Sequence, residues 1–415
     1  MAIKDVQTAV VEANYDWTFI KVIAEEGTGY GECFFAPGLT ALIRELKPLL
    51  LGKDPRDIHR LLRILRTAGF QAGPQGGALQ HALAGLETAL WDLLGKVLRV
   101  PLYQLWGGAY RTRIRLYADC HAEAGLHSLS STHLPRVPWW QSSSGTTKVH
   151  LEVDPKHHGG LKEEAKRVDP RAYGERAKQV VSQGYTALKF DLDIPTPYET
   201  DPFNRNLEPE EIELLANIVE AIRQSVGPQV ALAFDCHWNF SAGSALKLAQ
   251  ALAPYRPLWL EDPVPPEADE ALALVLRQSP VTIATGENHY HPHQFLRLLE
   301  KGLTVVTPDL QKVGLNQGRR IAELADLYTA MFAPHNIASP LGTLASAHLA
   351  ATVPNFLLLE HHGLEVPFFT ELVSGRESPL IQEGHLILEP QPGLGVSLNE
   401  EVAYRYRKKD EPFFA

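Results

Sequence analysis

Three short apolar runs, VALAFD (230–235), PLWLED (257–262) and TIATGE (282–287), each finish in carboxylates, and Asp235, Glu261 and Glu287 stand 26 residues apart in turn. A strand, a helix and two loops fill about that length in one unit of a β/α barrel. Apolar strands that finish in carboxylates place those groups at the C-terminal mouth of such a barrel, where the fold keeps its chemistry. Three hard oxygen ligands converging on one point describe a Mg²⁺ site with room left for substrate. A single carboxylate at a strand end is ordinary, since it can cap the next helix. Three in successive units call for a cation, because unpaired they would repel one another. Asp262 and Asn288, the next residues along, point the other way on a strand and read as outer groups.

Outward from this stretch the same rhythm continues. Strands are expected at RIRLYAD (113–119), TALKFDLD (186–193), LTVVTPDL (303–310), MFAPH (331–335) and FLLLEHH (356–362). Helical periodicity separates most of them, as in PEEIELLANIVEAIRQSV (209–226), SALKLAQALAPY (244–255) and GRRIAELADLYTA (318–330). Eight strands with intervening helices make a barrel of TIM type over 113–371. Before Arg113 the order is different. Strand-like VQTAVVEA (6–13), WTFIKVIAEE (17–26) and GTGYGECFF (27–35) precede three helical stretches at 39–52, 54–69 and 77–96. Strands first and helices afterwards predict an α+β domain over 1–112. Strand-like segments after Glu371 are expected to return to it, so that 372–415 completes that domain. Long inserts follow the first strand (122–170, with RVPWWQSSSG at 136–145) and the second (PTPYETDPFNRNL, 195–207). Both should rise from the barrel mouth as lid or specificity elements.

Composition bounds the function. The net charge of −10 argues against nucleic acid or an anionic membrane as the main partner. Three widely spaced cysteines, Cys33, Cys120 and Cys236, do not make a disulfide framework and read as buried small hydrophobes. There is no basic-then-apolar leader and no apolar run of membrane-spanning length, so a cytoplasmic location is expected. The glycines of GTGYG (27–31) and GPQGG (73–77) do not sit between a strand and a helix as a dinucleotide fingerprint requires, and are read as turns. The histidine-rich HYHPH (289–293) and KHH (156–158) are read as loop residues.

Other strand ends supply candidates for proton transfer. His335 closes the seventh strand and Asp309 the sixth; a carboxylate behind an imidazole fixes its tautomer and raises its basicity, which makes a general base. Lys189 and Asp191 alternate on the second strand, so both face one side, as does Asp193. Lys189 can position a substrate oxygen or accept a proton. His237, two residues after Asp235, can reach the substrate as an acid for a leaving hydroxyl. Glu360 ends the last strand and either donates a hydrogen bond when protonated or closes a polar network.

Taken together, LETALWDLLGKVLRVPLYQLWGG (86–108), DCHWN (235–239), LEDPVPPE (260–267), PDLQKVGL (308–315) and APHN (333–336) resemble the enolase superfamily, and within it the mandelate racemase subgroup. The resemblance spans nearly the whole chain. It implies an α/β fold, a modified TIM barrel, (β/α)₇β, under an α+β N-terminal capping domain. It implies Mg²⁺ held by Asp235, Glu261 and Glu287, a His335–Asp309 base dyad, Glu360 stabilising an enolate, and assembly into a homo-oligomer. The shared first step is removal of the proton beside a carboxylate, eased by electrostatic stabilisation of the developing charge; the superfamily is a standard example of a Lys or His base working with Mg²⁺.

One departure narrows the reaction. Racemases of the subgroup resemble one another in a Lys-x-Lys pair on the second strand, and here the pair is Lys189-x-Asp191. A single base, His335, is left, with Asp191 a substrate-binding group. Asp-x-His at 235–237 looks like the acid-sugar dehydratases, in which that histidine is the general acid. The expected reaction is β-elimination from an aldonate-like acid to a 2-keto-3-deoxy acid. The alternatives are a racemase, epimerase or cycloisomerase on another carboxylate, and a catalytically silent homologue that only binds.

Overall fold

The computed structural model describes residues 1–122, 125–151 and 168–414. An antiparallel meander opens the chain: Ile3–Glu12, Asp16–Ala24 and Gly27–Cys33. The third strand lies where GTGYGECFF was expected, and it corrects only the reading of its glycines as turn residues. Its glycines serve close approach: a Cβ on Gly29 would stand 2.1 Å from the Ala89 carbonyl oxygen, and one on Gly31 2.1 Å from that of Gly85. The meander can therefore lie directly on the helix Ala78–Leu98, whose Leu79, Leu83, Leu86, Leu90 and Leu93 fill the core between them. GPQGG does fall in the loop before that helix.

Among the described residues the barrel has eight parallel strands: Arg113–Cys120, Ala187–Asp191, Ala231–Asp235, Trp259–Glu261, Ile283–Thr285, Val305–Val306, Met331–Phe332 and Leu359–His361. They neighbour one another in chain order, and the eighth closes on the first through the pairs Leu359↔Leu116 and Glu360↔Tyr117. The seventh and eighth meet at the Phe332↔Phe356 bridge and at Leu357 N–H to Phe332 O, 2.8 Å. A helix follows each of the first seven strands, and four of those helices begin at a proline (Pro170, Pro209, Pro292, Pro340), whose fixed φ and missing N–H suit the first turn. Inside the barrel Tyr117 and Trp259 pack edge to face at 5.5 Å, and Ala187, Ala233, Ala284 and Ala333 give them room.

Several ladders stop before their apolar runs do. The fifth, sixth and seventh strands end at Thr285, Val306 and Phe332, so Glu287, Asp309 and His335 stand on the loops beyond them. The third strand ends at Asp235, and His237 and Trp238 then take left-handed backbone, φ 38° and 56°. This turn, rather than strand alternation, aims His237. It is held by His237 N–H on Asp235 Oδ1 at 2.9 Å and Trp238 N–H on Asp262 O at 2.5 Å.

The tail makes two kinds of contact. His385–Ile387 pairs antiparallel with Arg113–Arg115, extending the first barrel strand, which the sequence reading did not expect. Further on, Lys408 N–H bonds Val10 O at 2.8 Å and Phe414 N–H bonds Thr8 O at 2.7 Å, along the meander. Part of the first insert is pinned to the same meander. The buried Arg136 guanidinium pairs with Asp16 and bonds Ser128 Oγ at 3.0 Å, and Trp140 Nε1 donates to Glu12 O at 2.6 Å. KHH (156–158) lies outside the described residues. No helix among the described residues is long and apolar enough to cross a membrane.

Candidate active site

The barrel mouth opens into a cavity of about 270 Å³, with Tyr15, Phe34, Phe35, Ala36, Pro37 and His81 of the N-terminal region forming one side. Lys189, Asp191, His237, Glu287 and His335 reach it from the strand ends, and Leu129, Ser131 and His133 of the first insert complete the wall. Beneath lies a knot of buried charge. Lys189 Nζ stands 2.9 Å from Asp235 Oδ2, 2.7 Å from Glu360 Oε1 and 3.7 Å from Glu261 Oε2. Burial alone would lower the Lys189 pKa, but Glu261, Glu360 and Asp235 hold it well above the usual lysine range. Lys189 is thus a fixed cation in this structure.

Two of the histidines that line the cavity hydrogen-bond a carboxylate through Nδ1. His335 Nδ1 lies 2.7 Å from Asp309 Oδ2, while Asp309 Oδ1 caps the next turn by accepting from Gln311 N at 2.7 Å and Lys312 N at 3.0 Å. With Nδ1 donating to Asp309, Nε2 faces inward, 2.8 Å from Glu287 Oε2. Burial lowers the His335 pKa, yet Glu287, Glu360 and Asp309 outweigh it and raise it well above the usual imidazole range. His237 Nδ1 lies 2.8 Å from Asp193 Oδ1, and Asn239 Nδ2 donates to Asp193 Oδ2 at 2.9 Å. Here too burial is outweighed, by Asp193, Asp235 and Asp191, and His237 is held protonated.

The match to known proteins covers both halves of this architecture. Residues 172–402 match the family model "Enolase C-terminal domain-like", and residues 2–107 match "Mandelate racemase / muconate lactonizing enzyme, N-terminal domain". The chain belongs to the mandelate racemase/muconate lactonizing enzyme family of the enolase superfamily. It is 39% identical to a D-xylonate dehydratase of Haloferax volcanii, over 99% of this chain and 90% of the relative. It is 29% identical to a D-galactonate dehydratase of Pectobacterium atrosepticum, over 95% of this chain and 92% of that protein. Among solved structures, a mandelate racemase/muconate lactonizing enzyme-like protein from Rubrobacter xylanophilus superposes with a TM-score of 0.87 at 38% identity, each chain covered completely.

Members of this superfamily typically bind Mg²⁺, so the donor set can be tested against that ion. Asp235 and Glu261 are directly paired on adjacent strands, and Glu261 Oε1 is buried with no hydrogen-bond partner among the described residues. A carboxylate oxygen left without a donor in a buried acidic pocket suits a hard divalent cation. Asp235, Glu261 and Glu287 are not drawn together here, however. Lys189 neutralises the first two, and His335 and Lys312 (3.5 Å from Glu287 Oε1) neutralise the third. Ligand atoms that do lie within 4.8 Å of one another belong to Asp191, Asp193 and His237. Hydrogen bonding already accounts for the His237–Asp193 part of that cluster, and Asp191 Oδ1, like Glu261 Oε1, is buried without a partner among the described residues.

The sequence reading passed over several residues that this family member brings to the cavity. Lys312, inside the quoted PDLQKVGL, is buried at its edge, 3.1 Å from Asn288 Oδ1 and 4.1 Å from the Phe34 ring centre. Asn288, read as an outer group, lines the cavity and donates to Glu287 Oε1 at 3.0 Å. Tyr290, from the stretch read as plain loop, also lines it. Asp119, His121 and His362 stand at the ends of the first and eighth barrel strands. The strand-end rule that found Asp235 would have found them as well. Asp191 lies where expected, and burial raises its pKa well above the usual carboxylate range.

Proposed function

We propose that this chain is a hydro-lyase of the acid-sugar dehydratase kind, removing the proton beside the carboxylate of an aldonate-like acid and expelling the neighbouring hydroxyl to leave a 2-keto-3-deoxy acid. One observation carries the reading: two imidazoles, His335 backed by Asp309 and His237 backed by Asp193, open onto a single cavity. Elimination needs a base and an acid at once, and this pair divides the work.

The neutral form of His335, with Nε2 free of its proton and of Glu287, takes the C2 proton at that nitrogen, and Asp309 stabilises the imidazolium that results. His237, kept protonated by its acidic neighbours, delivers a proton to the departing C3 hydroxyl, which leaves as water. Lys189, the buried cation, holds the Asp235 and Glu360 carboxylates in place beneath the cavity. Asp235, Glu261 and Glu287 would hold Mg²⁺, which supplies electrostatic stabilisation of the charge that develops as the proton departs. The names of two relatives, D-xylonate and D-galactonate dehydratase, support the same substrate class.

A second reading, epimerisation, has one observation in its favour: Asp191 occupies the place of a second lysine and its raised pKa suits proton transfer. Purified protein with Mg²⁺, assayed against aldonic acids for 2-keto-3-deoxy product and for C2 deuterium exchange in D₂O, separates the two. Under the dehydratase reading His335→Asn abolishes both signals, whereas His237→Asn abolishes product and leaves exchange. Exchange with inversion at C2 and no product in the wild-type protein would replace dehydration with epimerisation.

A further inference from the structure

One part of the cavity wall, at Asp119, His121, Asp191 and His362, takes no part in the dehydration just described, yet three of its buried polar atoms lack a partner among the described residues. Asp119, the last residue but one of the first strand, stands beside Lys189, its partner in the sheet register, and its side chain is 7% exposed. Behind it a chain of hydrogen bonds fixes one protonation pattern. Asn14 Oδ1 accepts from Tyr15 N at 3.1 Å, which turns the amide nitrogen toward His362. That nitrogen donates to the His362 carbonyl at 2.9 Å and to the ring Nδ1 at 3.0 Å. Nδ1 must then be the lone-pair nitrogen, so the ring proton sits on Nε2 and is donated to Asp119 Oδ2 at 3.1 Å.

The relay uses one oxygen of Asp119 and leaves the other. Asp119 Oδ1 is buried with no partner among the described residues, and so are Asp191 Oδ1 and His121 Nε2 on the same wall. A buried acceptor without a donor costs stability, and such groups call for a ligand that supplies the donors. The base, the acid and the acidic trio stand on strands three to seven, so a bound acid held there by its first three carbons extends its remaining carbons over strands eight, one and two. The Asp119 carboxylate on that wall accepts a hydrogen bond from a hydroxyl and repels a second carboxylate.

We propose that Asp119, oriented by the His362–Asn14 relay, accepts a hydrogen bond from a distal hydroxyl of the substrate, so that this wall selects aldonic acids over aldaric acids. The proposal deepens the dehydratase reading and rests on it for the direction of the bound chain. Asp119 is the specificity-determining group; His362 and Asn14 are positioning residues.

The test compares wild-type protein with Asp119→Ala, Asp119→Asn and Asn14→Leu on D-xylonate and D-galactonate, their analogues lacking the terminal or adjacent hydroxyl, and the matching aldaric acids. Both kcat/KM and calorimetric affinity are read, with folding checked by near-UV circular dichroism. Loss of one charge-assisted hydrogen bond predicts a fall of about 10- to 100-fold for Asp119→Ala on the preferred acid. The analogue that lacks the recognised hydroxyl should change less than about threefold, so the wild-type preference between the two disappears. Asn14→Leu should weaken the same preference in part, which a merely structural loss would not do selectively. Equal losses on every acid, a preference that survives in folded Asp119→Ala and Asp119→Asn, or aldaric acids bound as tightly as aldonic ones would overturn the proposal. Wild-type binding that depends on Asp119 and the distal hydroxyl, without turnover, would sink the dehydratase reading and leave the wall standing. Binding of no polyhydroxy acid would remove both.

Discussion

Asp309→Asn isolates the tautomer of His335 from everything else in the site. Asp309 Oδ1 accepts two backbone N–H bonds, from Gln311 at 2.7 Å and Lys312 at 3.0 Å, so an asparagine must place its carbonyl oxygen there. Its amide NH₂ then occupies the Oδ2 position, 2.7 Å from His335 Nδ1. Two donors cannot face each other, so Nδ1 gives up its proton and the neutral ring carries it on Nε2, the nitrogen that looks into the cavity. The base has lost its lone pair on the working side. The same exchange behind the imidazole of a Ser-His-Asp triad costs about 10⁴ in turnover, and a loss of about 10³–10⁴ is expected here, or roughly 4–5.5 kcal/mol of activation free energy. The helix cap survives, so the melting temperature should stay within about 2 °C of wild type. Turnover and C2 deuterium exchange should fall together, and ¹⁵N spectra should move the ring proton from Nδ1 to Nε2. A folded Asp309→Asn protein that keeps more than about a tenth of wild-type exchange would refute this account of the base.

Other outcomes follow from buried groups. Burial pushes Glu87 up to about 7, so the folded chain holds a proton that the unfolded chain releases between pH 4.5 and 7. Stability should therefore fall as pH rises through that window, and Glu87→Gln should flatten the fall and stabilise the protein above pH 7 by up to about 3 kcal/mol in urea titrations; a steeper fall in the variant would contradict the burial argument. Gly31→Ala should cost more than about 3 kcal/mol or prevent folding, because its Cβ meets the Gly85 carbonyl oxygen at 2.1 Å. Gly38→Ala, at φ 72° with nothing within 4 Å, should cost only about 1 kcal/mol by the same assay. Chelation should abolish turnover and lower the melting temperature, and Mg²⁺ at a hundred times its dissociation constant should return about 2.7 kcal/mol. Full activity after exhaustive chelation would remove Asp235, Glu261 and Glu287 from the ligand role.

Much of this architecture is written along the chain. The alternation of apolar runs and amphipathic helices fits a β/α barrel, because strand and helix periods are local properties of consecutive residues. Strand-end carboxylates and histidines declare the barrel mouth for the same reason. The Lys189-x-Asp191 departure, too, is plain in the sequence, and it bears on the reaction before any coordinate does. What the chain order hid was the pairing of groups that lie far apart in sequence. The glycines of GTGYG looked like turn residues because the need for them comes from the backbone of a helix more than fifty residues on. His237 faces the cavity through a left-handed turn whose bonds come from Asp235 and from the next strand's Asp262. Asp119, His362 and Asn14 span the first barrel strand, the last and the N-terminal hairpin, and only closure of the barrel beneath the meander brings them into one relay. Periodicity is set by neighbours along the chain, whereas the protonation state and free valence of a buried group are set by whatever the fold places against it.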